Sequence, residues 1–137
     1  EEYFSALPPK CTGRELFGPV WLERHVRAGM NPRDVQATLL ELTAVSASRA
    51  ILAHASWTGR VIACGGGTRN SALMRRLSRL LAPRPVELSD RYGLPAQLVE
   101  ATAFAWLAQQ ALEGRAGNLP SVTGARGPRI LGAVYPK

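Results

Sequence analysis

A chain of 137 residues, 46% hydrophobic and 20% charged, is long enough for one domain with a sizeable core and too apolar for a disordered segment. It has no run of about 18 or more apolar residues and no opening signal-peptide pattern, so it reads as a soluble cytoplasmic protein without a membrane partner. The net charge of +7 is almost wholly arginine, since Lys10 and Lys137 are the only lysines. These arginines are spread along the chain, which favours a solvated surface, or phosphate on a small ligand, over a nucleic-acid interface. Cys11 and Cys64 have neither disulfide-framework nor metal-site spacing, and His25 and His54 have no Cys or His at ligand distance in sequence, so no metal site is expected. Cys64 reads as a small buried hydrophobe. The start at Glu1-Glu2 rather than Met points to a fragment or a processed product.

In chain order, residues 1–14 form a turn-rich segment around Pro8, Pro9 and Gly13. A short helix over Glu15–Ala28 is predicted from the apolar pairs Leu16/Val20 and Phe17/Trp21, interrupted at Gly18-Pro19 and stopped by Gly29. Asn31-Pro32-Arg33-Asp34 is the best helix start in the chain: Asn31 caps, Pro32 takes the first position, and Asp34 meets the positive end of the dipole. That helix runs without a breaker from 32 to 57, roughly 35–40 Å, and its Ala, Ser and Thr residues over Ala44–Ala55 let neighbours approach closely.

Val61–Cys64 reads as a short buried strand, Gly65-Gly66-Gly67 as a tight turn, and the following residues to Leu81 as an amphipathic helix capped by Asn70. Leu73, Leu77, Leu80 and Leu81 share one face, and Arg75, Arg76 and Arg79 take the other. Residues 84–89 form a second strand and 90–95 a turn, which makes a parallel βαβ unit. Pro95 opens a helix over Ala96–Glu113 with a small-residue stripe (Ala101, Ala105, Ala108) and bulk for the core from Phe104, Trp106 and Leu107; Gly114 ends it. Residues 115–129 are a loop, and 130–135 a closing strand.

The glycine turn is the one locally built candidate site, because glycine lets backbone approach a ligand and the helix behind it offers unpaired N–H groups. A phosphate loop of the G-x-x-x-x-G-K-[ST] type is excluded, since no lysine follows. A dinucleotide turn keeps Glu87 at about the required distance but lacks the third glycine, as Asn70 stands there. An NAD-binding oxidoreductase fragment and an arginine-rich nucleic-acid-binding module therefore stay as alternatives.

Cys-Gly-Gly-Gly-Thr-Arg-Asn (64–70) with its leading strand resembles the adenosine motif of the actin/hexokinase/Hsp70-type ATPase fold. Four further segments narrow the likeness: Pro-Pro-Lys-Cys-Thr-Gly-Arg-Glu-Leu-Phe (8–17), Leu-Val-Glu-Ala-Thr-Ala-Phe-Ala-Trp-Leu-Ala (98–108), Gly-Asn-Leu-Pro-Ser-Val-Thr-Gly-Ala (117–125) and Ile-Leu-Gly-Ala-Val-Tyr-Pro (130–136). Together, and in this order, they resemble anhydro-N-acetylmuramic acid kinase across essentially the whole chain. The resemblance implies an α/β fold, the C-terminal lobe of an actin-like (ribonuclease H-like) ATPase with short, mostly parallel strands. It also implies ATP and Mg²⁺ as cofactors and phosphorylation of 1,6-anhydro-N-acetylmuramic acid at O6, with water opening the anhydro ring.

By the same resemblance Gly65, Gly66, Gly67 and Asn70 lie against the adenosine part of ATP, and Glu100 points toward the sugar, to orient it or accept a proton. Taken alone, Glu100 is a solvated helix residue. Lys10 and Thr12 match a Lys-Ser-Thr-Gly-Arg-Glu segment near the cleft, with Cys11 where that segment usually has serine. The family's phosphate loops and aspartate base have no counterpart in these 137 residues. A missing N-terminal lobe or companion chain is therefore expected, with a homodimer as the full-length state and no turnover by this chain alone.

Overall fold

A computed structural model describes residues 1–135, which fall into two compact units: Arg14–Val99, and Glu1–Gly13 together with residues 100–135. In the first, α1 is Pro19–His25 and α2 is Pro32–His54. Gly18-Pro19 opens α1 rather than interrupting it. Pro19 lacks the N–H that a first turn would leave unpaired, and a Cβ at Gly18 would collide with the Arg14 carbonyl oxygen. The helix is thus shorter than the expected Glu15–Ala28, and it stops at an extended Val26 rather than at Gly29.

Asn31 caps α2 as its chemistry predicts, its side chain accepting from the Arg33 N–H at 3.0 Å. The helix ends at His54, three residues short of the expected 57, because Ala55 leaves helical geometry (φ −138°, ψ 37°). The next residues are held another way: Arg84 donates to the Ser56 carbonyl (2.7 Å) and the Thr58 carbonyl (3.0 Å). A guanidinium thus satisfies two carbonyls of the segment that follows the helix.

Strand β1 (Val61–Ala63) pairs in parallel with β2 (Val86–Leu88), Val61 opposite Val86 and Ala63 opposite Leu88. The crossover between them is α3, Ser71–Leu81, so the predicted βαβ unit forms, with strands slightly shorter than expected. Helix α3 packs on α2, whose buried positions Ala44 and Ser48 are small and four apart, on one face. Leu81 is the largest fully buried side chain, at 1% exposure. Arg75 and Arg79 are exposed as expected, but Arg76 is drawn to Glu41 of α2.

Helix α4 is Val99–Leu112, all but its first residue in the second unit, and Pro95 does not open it: residues 95–98 make a separate turn closed by the Leu98 N–H on the Pro95 carbonyl (2.8 Å). Gly114 ends α4 with φ +67°, as predicted. The expected core residues Phe104 and Trp106 are exposed, while Leu107 is half-buried and Gln110 buried. The loop after α4 includes a short α5, Pro120–Thr123. Asn118 organises it, accepting from the Arg129 N–H (2.6 Å) and donating to the Gly127 carbonyl (3.2 Å). The closing strand expected at 130–135 is absent among the described residues: Gly132 turns the chain with φ +96°, and no sheet edge pairs with it. Pro136, the last residue of the matched segment there, lies outside the described residues.

Candidate functional site

The glycine turn leaves β1 and enters a 3₁₀ turn, Gly66–Arg69, before α3. Gly65 stands at φ +81°, ψ −177°, a conformation open essentially to glycine alone. Its N–H donates to the Ala96 carbonyl at 2.7 Å. Its own carbonyl accepts from the Thr68 N–H (3.1 Å), the Thr68 hydroxyl (2.7 Å) and Gln97 Nε2 (3.0 Å).

Gly66 and Gly67 differ from Gly65. Neither has positive φ; a Cβ on Gly66 would meet nothing within 4 Å, and one on Gly67 only the Leu73 side chain at 3.7 Å, an ordinary contact. The fold requires glycine at the first position and leaves open backbone at the next two. Asn70 caps α3, its Oδ1 accepting from the Ala72 and Leu73 N–H groups, both at 3.1 Å. Two of the amides that make a helix start an anion site are therefore already used. The turn suits an uncharged ring or sugar better than a phosphate.

Glu87, the acidic residue a dinucleotide site would need, is only 14% exposed at its side chain and is engaged by Arg91 and by the Tyr92 hydroxyl. Arg60 joins them, donating to Tyr92 at 2.7 Å, 3.9 Å from Glu87. The Tyr92 hydroxyl, then Glu87, raise the pKa of Arg60 above its ordinary value. Cys64, expected to be buried in the strand, is exposed and lies just past the end of β1 at Ala63.

The other predicted site residues belong to the second unit. Glu100 is exposed in the first turn of α4, with no side-chain hydrogen bond or ion pair among the described residues. Lys10 donates to the Tyr3 carbonyl at 3.0 Å and lies 4.8 Å over the Tyr3 ring. The Thr12 hydroxyl is buried with no hydrogen-bond partner among the described residues. So the structure joins Gly65, Gly66, Gly67 and Asn70 into one turn and sets Lys10, Thr12 and Glu100 in the other unit. Gln97 was not a sequence candidate; a glutamine in a turn carries no signal until the fold brings it to the glycines.

Comparison with known proteins decides the family. The model of anhydro-N-acetylmuramic acid kinase matches residues 1–137. The chain belongs to the anhydro-N-acetylmuramic acid kinase family. Curated relatives of that name include proteins of Cupriavidus pinatubonensis (51% identical over 141 residues, all of this chain and 38% of that protein), Nitrosospira multiformis (51% over 134, 98% and 37%) and Xanthomonas campestris pv. campestris (53% over 137, 99% and 36%). The chain thus spans under two-fifths of the length of these relatives. Among the described residues of this family member no helix is long and apolar enough to cross a membrane, and no three His, Cys, Asp or Glu gather as metal ligands.

Proposed function

We propose that the protein supplies the nucleotide-side, C-terminal lobe of a cytoplasmic kinase of peptidoglycan recycling. The enzyme converts 1,6-anhydro-N-acetylmuramic acid, water and ATP to N-acetylmuramic acid 6-phosphate and ADP. The observation that carries the reading is the pair Gly66 and Gly67: two glycines that the fold itself does not need, on open backbone beside a helix start whose amides are already capped. Bare backbone of that kind accepts the flat face of an adenine or ribose that a side chain would hold off. The kinase family weighs against the oxidoreductase alternative, as does the internal engagement of Glu87.

In this reading the lobe is actin-like, and Gly65, Gly66, Gly67 and Asn70 receive the adenosine part of ATP. The phosphates and Mg²⁺ are held by residues outside these 137, which carry no counterpart of the family's phosphate loops. Glu100, exposed and without a side-chain hydrogen bond or ion pair among the described residues, orients the sugar or accepts a proton; water adds at C1 as C1–O6 breaks, and O6 takes the γ-phosphoryl group. Lys10 and Thr12 belong near the cleft by the resemblance of their segment. The full-length enzyme pairs as a homodimer.

The decisive experiment is Gly66→Val in the full-length enzyme. The KM for ATP is expected to rise about tenfold or more, with the ligand-free unfolding midpoint unchanged, because the new side chain meets nothing in the fold. An unchanged KM for ATP sinks the assignment of the turn.

A further inference from the structure

We infer that Gln97 is a positioning residue for the nucleotide, holding the glycine turn in the shape that receives it. Its Nε2 donates to the Gly65 carbonyl and to the Thr68 hydroxyl, both at 3.0 Å, across 32 and 29 residues of sequence. A carbonyl oxygen only accepts, so the amide nitrogen must face the turn. The neighbouring Ala96 holds the other side of the same glycine, its carbonyl taking the Gly65 N–H. Ala96 is fixed in turn by its own N–H on Asp90 Oδ2 at 3.0 Å. Both backbone groups of Gly65 are therefore gripped by two consecutive residues from a distant segment.

The grip matters because three successive glycines are the most mobile backbone a chain can carry. Untied, Gly65–Gly67 samples many shapes, and a ligand that needs one of them binds more weakly in proportion. Gln97 is exposed, so its amide does not fill a core, and its removal leaves no cavity. Its two bonds restrict the turn from outside.

The inference rests on the nucleotide reading of the turn, and its test keeps the two apart. In the full-length enzyme, Gln97→Ala and Gln97→Glu are compared with Gly66→Val and with Gln97→His. Alanine removes both bonds, and glutamate keeps the size but offers no donor to Gly65. Histidine places a ring N–H about where Nε2 stands. The alanine and glutamate variants are expected to raise the KM for ATP about three- to tenfold, leaving kcat and the KM for the sugar within about twofold, and histidine restores it. Amide hydrogen exchange at Gly66–Asn70 is expected to quicken in the same two variants. If Gly66→Val weakens ATP while both donor-less variants bind it normally, the role of Gln97 is overturned and the site stands. If Gly66→Val also leaves ATP unaffected, the nucleotide reading falls and takes this inference with it. A rise in both KM values with a fall in kcat marks general damage and overturns the specific role.

Discussion

Arg76 and Glu41 clamp α3 to α2 through a two-pronged ion pair, Nε donating to Oε2 at 2.7 Å and Nη2 to Oε1 at 2.6 Å. The Arg76 hydrogen bonds hold the Glu41 carboxyl below its ordinary value of 4.5. A lowered folded-state pKa means the pair stabilises the fold above that ordinary value, and the contribution is lost as pH falls through the lowered one. Both side chains are partly exposed, at 37% and 44%, so solvent and salt screen the effect. Glu41→Gln is expected to lower the urea midpoint slightly at about pH 7, and the gap to wild type closes toward about pH 3. A gap that stays constant across that range contradicts the pairing.

Among the described residues Leu81 is the one large side chain that is wholly enclosed. Leu81→Ala leaves a cavity at the buried end of α3, in a thin core. A loss of about 2–3 kcal/mol is expected, at the lower end for such changes because a sparse core collapses more easily. Leu80→Ala, at a half-buried neighbour, is expected to cost less than half as much. Equal losses at the two positions would show that α3 buries a different face.

Asn70 both caps α3 and, in the proposed site, faces the nucleotide. Asn70→Ala removes the acceptor for the Ala72 and Leu73 amides and is expected to cost about 1 kcal/mol. Asn70→Asp keeps that acceptor and adds a charge the helix dipole tolerates, so stability is held. The same charge beside an anionic ligand weakens binding. Expected, then, is a normal unfolding midpoint with a raised KM for ATP in the aspartate variant; normal ATP kinetics there would detach Asn70 from the ligand.

Cys64 adjoins Gly65 and is exposed, as is Cys11. Maleimide labelling of the native chain is expected to give two modified thiols, and one in Cys64→Ser, as read by intact mass. Labelling of Cys64 only after denaturation would restore the buried position that its apolar neighbours suggest.

Short-range chemistry was readable without coordinates. Asn31 before Pro32, Asn70 before Ser71 and Gly114 after α4 work through atoms within a few residues, so their roles follow from residue type and order. The parallel strands around α3 followed likewise, since a strand, a glycine turn, an amphipathic helix and a second strand have one favoured handed closure. The segments that carry the family likeness were readable for the same reason: they are contiguous.

What the sequence by itself determined is therefore the local scaffold, the position of the glycine turn and the family. Tertiary structure decided the rest. It brought Gln97 to Gly65, gave Arg76 to Glu41 rather than to water, bound Glu87 to Arg91 and Tyr92, and turned Cys64 outward. It also showed that only Gly65 of the three glycines is needed for the backbone itself. Each of these depends on which distant segment arrives at a given point in space. Side-chain donors, acceptors and charges bond to whatever lies within about 3 Å, and sequence order carries no record of that distance.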